Sequence, residues 1–92
     1  MTITKQQLIV YQKYAGDDDG LARVGTPQEK ALYAPSEWSQ IRDLIQMLTV
    51  ANKFGSTEYK ARVFTNYSHA CEGSEAERLL FEIVGIEKNN VP

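Results

Sequence analysis

The clearest order in the chain is a set of apolar positions at helical spacing. Between Ser36 and Gly55, the residues Trp38, Ile41, Leu44, Ile45, Leu48 and Ala51 recur every three or four positions, with Ser39, Asp43, Gln46 and Lys53 opposite. An α-helix that buries one face needs such a stripe. The pattern predicts a main helix over Glu37 to Phe54, opened by Ser36 and closed by Gly55. Shorter stripes flank it. Leu8, Tyr11 and Ala15, with Ile9 beside them, predict a first helix over Lys5 to Ala15. Gly16 then takes the left-handed position that commonly follows a helix. Ala76, Leu79, Leu80, Ile83 and Val84 predict a last helix. A capping box at Ser74-Glu75-Ala76-Glu77, behind Gly73, opens it, and Gly85 closes it.

Polar residues punctuate the region between the first two of these stripes. Tyr14–Gly25 reads YAGDDDGLARVG. Asp17 follows the stopping glycine and suits the N-cap of a short helix over Asp18 to Val24, whose first turn favours the carboxylates of Asp18 and Asp19. Thr26-Pro27-Gln28-Glu29 is another helix opening, with proline at the first position and glutamate reaching back. It predicts a short helix over Pro27 to Tyr33, ended before Pro35. The segment EYKARVFTNYSHA fits two patterns. Tyr59, Ala61, Val63, Thr65 and Tyr67 alternate as in a strand, whereas Tyr59, Val63, Tyr67, Ala70 and Cys71 form a helical face. A lone strand leaves its backbone groups unpaired, so a helix capped by Ser56 or Thr57 is expected. The architecture is therefore all-α: a small bundle of three main helices plus one or two short ones. Residues 1–86 are expected to form a single domain, with 87–92 as a frayed tail.

Composition narrows the functional classes. A chain of 92 residues with a formal charge of −2 and pI about 5.3 has no general attraction to nucleic acid or anionic lipid. Lys53, Lys60 and Arg62 outnumber Glu58 in one region, while Glu72, Glu75, Glu77, Glu82 and Glu87 make the C-terminal end acidic. Solvated helix faces account for both. The single cysteine, Cys71, excludes an internal disulfide. The opening MTITKQQLIVYQ resembles neither a signal peptide nor an anchor. No segment approaches the roughly 18 apolar residues that span a bilayer. A cytoplasmic protein with no membrane partner is the expectation.

Candidate chemistry is sparse. On the calcium-loop template, Gly20 at position six places Asp17 and Asp19 correctly, but Ala15 and Thr26 fall where carboxylates are required. The segment Asp17–Asp19 is thus read as punctuation rather than a cation site. His69 and Cys71 stand two apart on the expected helix, where they do not face each other, and together they fall short of a zinc ligand set. Gly16, Gly20 and Gly25 lack the spacing of a phosphate loop. No catalytic residue, metal site or cofactor is expected.

Two binding readings remain. Met47–Asn66 partly resembles a helix-turn-helix motif, with Ala51 and Gly55 at its small-residue and turn positions. It departs from the motif at Ser56 and Ala61, where apolar and branched residues are usual. Its second helix would offer Thr57, Lys60, Arg62 and Asn66 to nucleic acid. The other reading starts from surplus apolar residues. Met47, Val50 and Phe54 lie off the main stripe, and Phe81 lies off the last one. Neighbouring helices cover these positions, or a partner or second copy does. The expectation is a non-enzymatic helical protein acting through protein–protein contacts, a homodimer being one form; the alternative is the helix-turn-helix binder.

Overall fold

The computed structural model describes residues 3–71 and 74–86. Among these residues the chain forms six helices and no strand, so the all-α expectation holds. They are α1 (Lys5–Lys13), α2 (Asp18–Val24), α3 (Pro27–Ala31), α4 (Pro35–Phe54), α5 (Thr57–Ala70) and α6 (Ser74–Val84). The body is elongated, 42 × 23 × 20 Å, and the 20 residues of α4 span about 30 Å.

The helix openings show how local chemistry sets the boundaries. At α1, the Thr4 hydroxyl accepts from the Gln7 N–H at 3.2 Å, while the Gln7 side-chain oxygen accepts from the Thr4 N–H at 2.9 Å. This capping box follows the pattern that opens α3, where Thr26 and Glu29 make the same reciprocal pair at 3.1 and 3.0 Å. The α1 box is also legible as Thr4-x-x-Gln7, although the apolar stripe alone does not reveal it. α1 ends at Lys13 rather than Ala15, because Ala15 and Gly16 both turn left-handed, at φ 52° and 74°. A Cβ at Gly16 would also lie 2.8 Å from the Tyr11 hydroxyl oxygen.

Three predicted caps differ. Asp17 occupies the N-cap of α2, but its side chain accepts no capping hydrogen bond. α3 is shorter than its predicted span and ends at Ala31. α4 begins at Pro35 with Ala34 as N-cap, not at Glu37 behind Ser36. The proline that was expected only to stop α3 also starts α4, since its fixed φ suits the first helical position and its missing N–H would have no partner there. The ambiguous segment is helical throughout, and Ser56 caps it by accepting from the Tyr59 N–H at 3.2 Å. The predicted box at Ser74 depends on a side chain outside the described residues, as do Gly73 and the tail 87–92.

The predicted stripe of α4 forms the centre of the core: Trp38, Ile41, Leu44, Leu48 and Ala51 are buried. Val63, Tyr67 and Ala70 of α5 and Ala76, Leu80 and Phe81 of α6 join it, with Ile3, Leu8 and Val10 from the N-terminal region. The Ile3 N–H donates to the Ala70 carbonyl at 2.7 Å, tying the entry of α1 to the end of α5.

Candidate interaction surface

The two halves of α4 have different surroundings. In the N-terminal half, Trp38 is 1% exposed and lies between the rings of Tyr11 and Tyr33, each edge-on with centroids 5.3 Å away. Such packing adds a directional attraction to the burial of the indole. Its Nε1–H has no hydrogen-bond acceptor among the described residues. The buried Gln7 amide donates to the Glu37 carboxylate and, at 3.4 Å, to the Leu32 carbonyl. One side chain thereby joins α1, the end of α3 and the first turn of α4.

Glu29 is a second brace. Besides its capping bond, its carboxylate accepts from the Lys13 ammonium and the Tyr14 hydroxyl, each at 2.6 Å. The Lys13 hydrogen bond, the Thr26 N–H and the Tyr14 hydroxyl hold the Glu29 carboxyl down at about 2. The Arg42 guanidinium adds a 3.4 Å hydrogen bond to the Gly16 carbonyl. The sequence reading recognised Glu29 only as a cap. Its long-range partners come from the approach of α1 to α3, which no local motif encodes.

The C-terminal half is barer. Of its last residues, Val50, Asn52, Lys53 and Phe54 are exposed and Ala51 is buried. Met47 is half-buried against the core. Val50 is 41% exposed, and Phe54 is 81% exposed. The connection to α5 is only Gly55 and Ser56. A Cβ on Gly55 would lie 2.8 Å from the Ala51 carbonyl oxygen and 2.9 Å from the Tyr59 ring, so this close turn requires glycine.

Phe81 does not belong with this surface. It is 2% exposed and packs against Tyr67 and Phe64, with ring centroids 5.2 and 5.9 Å away. Its position off the last stripe fits either a face covered by neighbouring helices or one open to a partner. In the fold α6 lies against α1 and α4, and the α5 aromatics cover that face. Below this cluster the Tyr67 hydroxyl donates to Glu77 at 2.7 Å.

The proposed nucleic-acid contacts fall on separate flanks of α5. Thr57, Arg62 and Asn66 are exposed and Lys60 is half-buried, but Lys60 and Arg62 stand two residues apart and do not face each other. Two further hydroxyls on the helix are used internally: Thr65 donates to the Ala61 carbonyl and Ser68 to the Phe64 carbonyl, both at 2.9 Å. The two-residue turn is also shorter than the three to four residues usual in the helix-turn-helix motif.

His69 is exposed and Cys71 is buried. Burial, with the charge of Glu77 nearby, pushes the Cys71 thiol up to about 11, which disfavours the reactive thiolate. Asp17, Asp18 and Asp19 are all exposed. No group of three or more metal-ligating side chains converges among the described residues, and none of their helices is long and apolar enough to cross a membrane. No protein-family model, curated protein or solved structure matches this chain.

Proposed function

We propose that the protein is a non-catalytic interaction module whose docking surface is the C-terminal end of α4, and that it self-associates through this end. The supporting observation is the exposure of Phe54, 81% accessible in a chain that buries its other two phenylalanines wholly or in part. Leaving a phenyl ring in water forgoes roughly 1.5–3 kcal/mol of burial energy. Val50 lies four residues earlier and Met47 seven earlier, so the three share one side of the helix. The exposed Lys53 precedes Phe54 in sequence and puts a positive charge next to this patch. Sedimentation equilibrium of the wild-type chain and Phe54→Ala tests the reading. Association that rises with concentration and is lost in Phe54→Ala supports it. A wild-type chain that stays monomeric up to about 1 mM, the weak limit of specific association, contradicts it.

A further inference from the structure

We infer that Phe54 of one copy inserts into the cleft between α2 and α3 of a second copy, so that the protein associates head to tail. The inference rests on the proposed docking role of the α4 end and adds the surface that receives it.

The cleft has a volume of about 210 Å³ and is lined by Asp18, Leu21, Ala22, Lys30 and Tyr33. An apolar cavity of about 150 Å³ accommodates benzene, so the space admits a phenyl ring. Leu21, Ala22 and the Tyr33 ring supply an apolar floor. Tyr33 is held in place by its edge-on contact with Trp38. An incoming ring therefore meets a preformed wall, which lowers the ordering cost of binding.

Charge favours the same pairing. Asp18 lies on the rim, with Asp17 and Asp19 beside it in sequence, and all three are exposed. Burial, with the neighbouring Asp18 carboxylate, pushes the Tyr33 hydroxyl up from its ordinary value, so the acid stands close to the ring that lines the cleft. The residue before Phe54 is the exposed Lys53, so a ring entering the cleft brings an ammonium towards the exposed Asp17–Asp19 run, against which Lys30 is the one like charge among the lining residues. Pairing Phe54 against Phe54 about a two-fold axis would instead bring the Lys53 ammonium groups of both copies towards each other. Such like-charge approach is unfavourable.

Geometry excludes self-satisfaction. The cleft adjoins Trp38 through Tyr33, and Phe54 lies 16 residues further along α4 (54 minus 38), about 24 Å away. Knob and receptor therefore sit on different surfaces of one molecule, and a contact between unlike surfaces is heterologous: it propagates or closes into a ring. A single inserted side chain makes a small interface of the weak, transient class.

The test uses the full chain with two surface variants, Phe54→Ala without the knob and Ala22→Arg without the receptor. The arginine stands four residues after Asp18 and spans the cleft. Circular dichroism confirms that both remain folded. In sedimentation equilibrium, each variant alone is expected to raise the dissociation constant roughly 30-fold or more, as loss of an interface anchor does. An equal mixture is expected to recover association and stop at heterodimers, because one knob and one receptor remain. Lys53→Glu and Asp18→Lys provide a second complementing pair, each weakening association alone and restoring it when mixed. If Phe54→Ala dissociates while Ala22→Arg and Asp18→Lys associate as wild type does, self-association through α4 stands and the cleft is not its receptor. A monomeric wild type overturns both.

Discussion

The two ends of α4 show one helix serving two purposes. At its N-terminal end, Trp38 is enclosed by Tyr11 and Tyr33, and Gln7 and Glu29 brace the surrounding short helices. At its C-terminal end, Val50 and Phe54 remain open beside a two-residue turn. Both ends carry a large aromatic side chain; Trp38 is 1% exposed and Phe54 is 81% exposed. The aromatic and polar braces sit at one end, and the exposed apolar side chains sit at the other.

Truncation should expose that contrast most sharply. Trp38→Ala removes the largest fully buried side chain and is expected to cost about 3–5 kcal/mol in urea unfolding. Phe54→Ala, which removes a ring of similar chemistry from the surface, should stay within about 0.5 kcal/mol. Equal costs would mean that the two ends are not different. Gln7→Leu comes next, at about 1–3 kcal/mol, because it leaves the Thr4 N–H and the Glu37 carboxylate without their partner.

Glu29 gives a smaller, pH-dependent effect. Its folded-state value of about 2 lies below the ordinary carboxyl value of 4.5, so its contribution is fully present above about 4.5. It is lost as pH falls from there towards about 2. Melting curves should place Glu29→Gln below wild type at pH 6, with the gap closing on acidification. A gap independent of pH would show that the carboxylate is not the brace. The smallest effect concerns Cys71. With its thiol raised to about 11, roughly one molecule in a thousand carries the thiolate at pH 8, so labelling should await unfolding. Immediate labelling of the native chain would contradict its burial.

Much of this was legible in the sequence, for reasons that can be named. The α4 stripe and the Thr26–Glu29 box are local signals, and both appear where expected. Pro35 misled because a proline that ends one helix also starts the next when the link is short. The offset of Phe81 fits a covered or an open face equally well, and only the packing of the α5 aromatics against it decides for the covered one. Gln7 and Glu29 act through partners 15 to 30 residues away, which spacing alone does not encode. Within the candidate surface, Met47, Val50 and Phe54 followed from their offset on α4. The cleft that faces Asp18 required the packing of α2 beside α3.

The most direct test follows the NMR signals of Phe54, Val50 and Ile9 as the wild-type chain is concentrated from about 20 μM to about 1 mM, a range that brackets weak association. Ile9 is also an exposed apolar residue, but it lies on α1, away from the α4 end. Phe54 and Val50 should shift progressively while Ile9 stays fixed. Unmoving Phe54 signals, or equal shifts at Ile9, would contradict the assignment of docking to the C-terminal end of α4.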